Sequence, residues 1–275
     1  MANTLTSLEI PAEVQAGIFS SVAEVSAFQK ASKPVNLTWK GVTTHTLGGD
    51  RAKFVAEGAK KPVADGATAV TLIPQKLAVV DIYSNESESA AADAVAALKA
   101  EAGNSFARTI DHAIAGSTSV GTTSRINALS TAPTATVTDR ASLIAAKSAA
   151  SGVNPASAWV MSTTLKDQLD AMTNAQGGVL FPSLEASGTL LGLPVYTFTY
   201  SEAIGYVGDF ANSAAFGIVA PPTGIVRVSK EGVFGNQSMA EENKTAVITE
   251  LGVGFGVANA NAFRKIVLAE EEVEG

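Results

Sequence analysis

An α+β fold is the expectation for these 275 residues. Three features carry it: strand-period alternation broken by Gly and Pro over 42–84, one long run of helical apolar periodicity over 85–116, and a later stretch where short helices and strands interleave. Apolar residues make up 46% of the chain and charged residues only 16%, where about 25% charged is usual for soluble domains. The chain therefore has ample material for a core and little charge to coat a free surface. That balance suits a subunit that buries much of its surface against others.

From the N-terminus, Pro11 opens a predicted helix through Phe19 to Phe28, with Glu13 in the first turn where the dipole favours a carboxylate. Ser32-Lys33-Pro34 ends it, because the residue before Pro avoids the helical region. Val35-Asn36-Leu37-Thr38-Trp39 then alternates at the strand period. Phe54-Val55-Ala56-Glu57-Gly58 leads through Ala59-Lys60-Lys61-Pro62 to a turn signal at Asp65-Gly66. Alternation resumes over Thr68-Ala69-Val70-Thr71-Leu72-Ile73, and Pro74 marks an edge or an exit. The reading is a long two-stranded hairpin with a charged tip. Such a hairpin is marginal alone in water and needs something to lie on.

The segment 85–116 is the clearest element. Asn85 or Ser87 serves as cap, and Glu88 and Asp93 complement the positive end of the dipole. Val95, Leu98, Ala102, Phe106, Ile110 and Ile114 form one apolar stripe, and Gly116 stops the helix. A Ser/Thr/Gly-rich loop is expected over 117–138. A helix over 141–150, a buried strand at Ala158-Trp159-Val160-Met161, a helix capped by Ser162 and a turn at Gly177-Gly178 follow. Strands are expected at 193–198, 205–210, 214–219, 225–229, 245–258 and 263–268. The tail Glu270-Glu271-Glu272-Val273-Glu274 reads as a solvated acidic end.

Several function classes fall away. With no Cys, the chain has no disulfide, thiolate nucleophile or Cys-based zinc site. The two histidines, His45 and His112, cannot build a His-rich metal centre. Asp111 and His112 are adjacent on a helix, about 100° apart, and do not face each other. No Gly-x-Ser-x-Gly elbow and no phosphate-binding Gly-Lys-Ser/Thr loop occurs. Gly252-Val253-Gly254-Phe255-Gly256 has the wrong spacing for a dinucleotide fingerprint and reads as a strand closely approached by another backbone. Glu241-Glu242 reads as a solvated pair. A net charge of -7 argues against general nucleic-acid binding. No window reaches the roughly 18 apolar residues of a membrane span, and no secretory signal opens the chain. The expectation is a protein made in the cytosol, without cofactor, metal or membrane partner.

Beyond these exclusions, particular strings sharpen the reading. The hairpin string Phe54-Val55-Ala56-Glu57-Gly58-Ala59-Lys60-Lys61-Pro62, with Thr71-Leu72-Ile73-Pro74-Gln75-Lys76-Leu77-Ala78, resembles that of tailed-bacteriophage major capsid proteins. Trp159-Val160-Met161-Ser162, Gly177-Gly178, Leu191-Gly192-Leu193-Pro194-Val195, Gly208-Asp209-Phe210 and Asn261-Ala262-Phe263-Arg264-Lys265-Ile266 are similar to later parts of the same family. The resemblance runs over 40–268. It implies the phage major-capsid fold, with an N-terminal arm at 1–41 and an extended hairpin, the E-loop, at 42–80. A peripheral domain with a long spine helix would occupy 81–122 and 233–258, and an axial α/β domain 123–232 and 259–275.

The implied function is a non-enzymatic major capsid protein. It would self-assemble as pentamers and hexamers into an icosahedral head, assembled in the host cytoplasm and present in the virion, enclosing double-stranded DNA without sequence-specific binding. Interfaces well above the roughly 1,600 Å² of a standard complex are expected from crossing arms and loops. An acidic wall fits a DNA container, since a basic one would bind the DNA and hinder its movement. The implied inter-subunit contacts of the hairpin are Arg51, Lys53, Glu57, Lys60, Lys61 and Asp65. Some members form a Lys–Asn isopeptide bond assisted by a Glu, for which the candidates are Lys60 or Lys61, Asn243 and Glu250. Most members lack that bond, and Lys60-Lys61 read equally as a solvated tip making salt bridges. Only about forty residues precede the hairpin, so a separately encoded scaffolding protein and no maturation cleavage are expected. A portal protein and a decoration protein are the further partners the family implies. Two alternatives stand: an encapsulin-like nanocompartment shell with the same fold, and an unrecognised α/β enzyme.

Overall fold

In the first third of the chain, local signals and long-range pairing divide the work. The computed structural model describes residues 22, 25–47, 54–57, 59–61, 67–85, 92–116, 120, 126–151, 154–174, 176–222 and 225–269. The opening of the helix expected from Pro11 lies outside these residues. The structure breaks that helix at Ser26, which is extended at ψ 122° and caps a separate helix α1 (Ala27–Ala31), its Oγ accepting from the Gln29 amide at 3.2 Å. After β1 (Lys33–Pro34), the hairpin legs are β2 (Val42–Leu47) and β3 (Ala67–Leu72), antiparallel with Val42 opposite Leu72. The expected turn at Asp65-Gly66 lies outside the described residues.

Pro74 ends the hairpin, and β4 (Gln75–Ser84) runs into α2 (Ala92–Ile114), the long helix. At 23 residues it is about 34 Å long. The apolar stripe is buried at Ala102, Phe106, Ile110 and Ile114, and the chain leaves through Gly116 at φ +95°. Then come β5 (Thr134–Val137), α3 (Arg140–Ala150), β6 (Ala158–Ser162), α4 (Thr163–Ala171), α5 (Pro182–Ser187), β7 (Thr189–Leu190), β8 (Leu193–Phe198) and β9 (Gly205–Gly208). The chain continues with α6 (Phe210–Ser213), β10 (Ala214–Val219), β11 (Val226–Ser229), β12 (Val233–Phe234), β13 (Gln237–Ser238), β14 (Lys244–Val257), a single 3₁₀ turn and β15 (Phe263–Leu268). Ser162 caps α4 as expected, and Asp139 forms a reciprocal capping box with Ser142 at the start of α3.

Two sheets organise these elements. In the first, β14 is central: β4 pairs along one edge from Lys244–Ser84 to Val253–Gln75, while β10 and β11 share the other edge and β1 lies outside β10. The second has the order β5-β15-β9-β6-β8-β7, with parallel pairs at β5/β15 and β6/β8. α4 and α5 lie in the connection from β6 to β8, which a parallel neighbour requires. Both faces of this sheet are covered. Ala158 and Val160 join a core with α1 and α2, while Trp159 and Met161 join a second core with Leu143, Leu165 and Leu169. That is why β6 reads as an unbroken apolar run.

Three differences from the sequence pattern have physical causes. Val35-Asn36-Leu37-Thr38-Trp39 is a strap over the first sheet rather than a strand. Val35 donates its amide to Phe216 O at 2.8 Å, Leu37 is buried, and Trp39 Nε1 donates to Ala220 O at 2.7 Å. Its alternation reflects residues facing the sheet from above. The expected loop over 117–138 contains β5, whose partner β15 lies at the far end of the chain. The strand expected over 205–210 ends at Gly208, because Asp209 caps α6 by accepting from the Asn212 amide at 3.1 Å.

The glycine run of β14 has a simple purpose. Val247, Leu251, Val253 and Phe255 face the main core, so Gly252, Gly254 and Gly256 face the other way. A Cβ on Gly254 would lie 3.1 Å from Leu37, and one on Gly256 2.9 Å from Val70. The row seats the strap and the root of the hairpin. On β10, a Cβ at Gly217 would meet Val35 O at 2.7 Å and Leu37 Cβ at 2.9 Å. Gly217→Ala should therefore lift the strap and destabilise the protein by about 1–3 kcal/mol. Chemical denaturation checks this, and an unchanged midpoint would show that the strap tolerates displacement.

Candidate assembly surfaces

The hairpin tip carries the most conspicuous apolar exposure. Phe54 is fully exposed at 111% of its reference area and Val55 is exposed beside it. Glu57 is exposed within a turn in which the Ala59 amide donates to Ala56 O at 3.0 Å, and Lys60 and Lys61 are exposed after it. Arg51, Lys53 and Asp65 lie outside the described residues. Sequence reading named the charges of the tip and passed over Phe54. A lone aromatic in a Gly/Pro-punctuated polar loop was the available signal, since a free chain gains nothing by displaying it.

Glu250 sits on β14 between two cations. Its Oε1 lies 2.7 Å from Lys76 Nζ on β4 and 3.3 Å from Arg227 Nη2 on β11. The cluster thus ties the central strand to both neighbours. Asn243 immediately precedes β14 at φ +52°, its Oδ1 accepting from Asn85 Nδ2 at 2.7 Å and its carbonyl from the Asn85 amide at 3.0 Å. Seven residues of extended chain separate Asn243 from Glu250, about 23 Å. One chain does not bring these two together.

The C-terminal turns of α2 join both sheets to the arm. Asp111 is buried, and its carboxylate accepts from Ser26 Oγ at 2.7 Å, the Ala27 amide at 2.9 Å and the Phe28 amide at 3.4 Å. Burial pushes its pKa up to about 7 against the pull of those hydrogen bonds and of Lys30. His112 points elsewhere, as adjacent helical residues must: a ring nitrogen lies 2.6 Å from Thr199 O and the ring packs on Tyr200. It ties α2 to the segment that follows β8. Tyr206 donates to Ala115 O at 3.1 Å, and burial pushes its hydroxyl pKa well up. Sequence reading missed Asp111 as a structural centre. An acid beside the buried Phe106–Ile110–Ile114 stripe was the clue.

A groove of about 1400 Å³ opens on the second sheet between α3 and α4, lined by Asp139, Arg140, Ile144, Met172, Leu180 and Leu268. The Asp139 carboxylate there is already spent on the helix cap, and the Ser142 amide and hydroxyl hold its pKa below the usual value. Among the described residues no cluster of His, Asp or Glu is arranged to hold a metal, and no helix is long and apolar enough to cross a membrane.

Comparison with known proteins gives a consistent result. The model of the phage capsid family matches residues 7–268. A search of curated proteins by sequence finds no match. Among solved structures, a chain from Gordonia phage Cozz is 20% identical, with 90% of this chain and 87% of that one covered at a TM-score of 0.65. A chain from Mycobacterium phage Bobi is 16% identical, with 98% and 95% covered at 0.63. A chain from the capsid of an empty GTA particle computed with C5 symmetry is 16% identical, with 98% and 94% covered at 0.61. At such identities the likeness is one of fold, and the fold is that of phage capsid structures.

Replacing Glu250 by Gln removes the charge shared by Lys76 and Arg227. Both cations are about half exposed, so screening limits the loss to about 0.5–1 kcal/mol. Denaturation in low and high salt checks this: the variant and the parent should converge as salt rises, and a gap that salt leaves unchanged would contradict it.

Proposed function

The chain belongs to the phage capsid family, and from that premise we propose that this capsid shell protein is the major head protein, building an icosahedral shell of pentamers and hexamers around double-stranded DNA. The observation that carries the assembly reading is the hairpin: two strands that leave the body, with Phe54 fully exposed near the tip. A monomer in water would hide such a ring; a subunit delivers it to a neighbour. In this reading 81–122 and 233–258, with α2 as spine helix, are the peripheral domain, and 123–232 and 259–275 are the axial domain, so that β10 and β11 of the axial range pair with β14 of the peripheral one. The role is structural, without a catalytic step.

Glu57, Lys60 and Lys61 would make the polar rim around Phe54, together with Arg51, Lys53 and Asp65. Rim charges tune encounter and salt dependence, whereas a buried aromatic supplies most of the affinity. A separately encoded scaffolding protein, a portal protein and a decoration protein are the proposed partners, with assembly in the host cytoplasm. The low charged fraction of 16% supports extensive subunit burial.

Electron microscopy of the purified protein, expressed alone and with its scaffold, should show closed shells or rings of five and six subunits. A monodisperse 28.0 kDa monomer under both conditions would count against the proposal. Phe54→Asp should abolish shell closure while leaving the unfolding free energy of the subunit within about 0.5 kcal/mol of the parent, because the ring is exposed in the subunit. Shells of normal yield from that variant would remove Phe54 from the interface. A denaturing gel of mature particles tests the isopeptide bond between Lys60 or Lys61 and Asn243: ladders above the monomer support it, and a clean monomer band excludes it.

A further inference from the structure

A small pocket lies at the root of the hairpin, apart from the assembly surfaces. Its volume is about 200 Å³, and it sits between the start of β4, α2 and β14. Leu77, Ile110, Ala113, Ile126 and Val253 give it apolar walls. Ile110, Ala113, Ile126 and Val253 are buried, and Leu77 packs on the same core. Gln75 and Thr109 bring the polar atoms. Val253 is the strand partner of Gln75, so these two side chains lie together on the core face of the sheet.

Size, polarity and access define what the pocket takes. An apolar cavity of about 150 Å³ holds benzene, so this one has room for a single substituted ring. Gln75 Oε1 is buried and receives no hydrogen bond from the chain. A buried carbonyl without a donor is costly, and a ligand hydroxyl beside it recovers that cost. The ligand is neutral, because the one charged residue on the wall, Lys76, holds its ammonium 2.7 Å from Glu250 on the other face of the sheet. Lys76 alternates with Gln75 and Leu77, so a pocket lined by all three reaches around the flank of β4. Among the described residues β4 pairs with β14 alone, and that flank is the way in.

We propose that this pocket is a binding site for a neutral, ring-sized alcohol of the phenol class, held by apolar contact with its walls and by donation of its hydroxyl to Gln75 Oε1. The site joins α2 to the first residues of β4, immediately after Pro74, so an occupant braces the base of the hairpin. It is a property of the single chain and goes beyond the capsid reading.

Titration of the full chain with 4-fluorophenol and with fluorobenzene, followed by fluorine NMR of the ligand, tests this. 4-Fluorophenol should bind saturably with a Kd on the order of 1 mM, within what a ligand of this size reaches. It should bind at least about threefold tighter than fluorobenzene, the discrimination expected of one hydrogen bond to a buried acceptor. Gln75→Leu keeps the wall and removes the acceptor, and it should erase that preference. Hydrogen exchange of the parent at saturating 4-fluorophenol localises the site: amides within 75–77 and 109–113 should slow at least about twofold. That readout needs no variant and decides the proposal if Gln75→Leu does not fold. The absence of any saturable shift leaves the pocket to water and overturns the site. Fluorobenzene binding as tightly as 4-fluorophenol in the parent, a preference that survives Gln75→Leu, or slowed exchange confined to other segments overturns it equally. Shell formation, with or without the ligand, bears on the capsid reading alone.

Discussion

Strand β14 is the constraint on which the rest depends. Fourteen residues long, it pairs with β4 on one edge and with β10 and β11 on the other. Its two faces have opposite requirements. The core-facing side needs bulk and supplies Leu251, Val253 and Phe255. The other side needs absence of bulk, because Leu37, Val70 and Leu72 must come down onto it. Glycine usually weakens a strand. Here the close approach of the strap and the hairpin root offsets that loss, and the hairpin leaves the body from a fixed base.

The second constraint lies where the sheets meet. The chain passes between them at α2, at α6 and at the turn before β15. One buried core spans both sheets and packs these crossings together. Buried polar groups are specific because an unmatched one is costly in the interior. The end of α2 places three polar ties close together, two of them buried: Asp111 on the arm and the Ala115 carbonyl under Tyr206, with the half-buried His112 on Thr199 O. Each tie goes to a different element, so the helix end holds three units in register. Shells made from one kind of subunit must accommodate more than one local curvature, and a junction with few, directional ties suits that need.

Surface chemistry points the same way as the architecture. A free protein with 16% charged residues and exposed Phe54, Val55, Ile73, Val80 and Val233 would be poorly protected against association. For a capsid subunit, association is the function. The ionic features that do exist are local braces, such as Glu250 between Lys76 and Arg227, and contribute to the shape of one chain.

Periodicity and capping chemistry made much of this protein legible from its residues: the long helix, the hairpin legs, the Ser162 cap and the buried β6 run all rest on signals within a dozen neighbours. The glycine row of β14 was read as approached by another backbone; the close approach is real but comes from the side chains of Leu37, Trp39, Val70 and Leu72, and the family resemblance followed from strings in order. Alternation could not tell the Val35–Trp39 strap from a strand, since Val35 and Leu37 turn toward the sheet as alternate residues of a strand would. Neither β5, whose partner β15 lies more than a hundred residues on, nor the role of Asp111 was visible. Local sequence determines which backbone conformations and faces are favoured. Only the tertiary structure decided which distant groups share a buried site, because desolvation and hydrogen bonding are set by neighbours that the chain supplies from elsewhere.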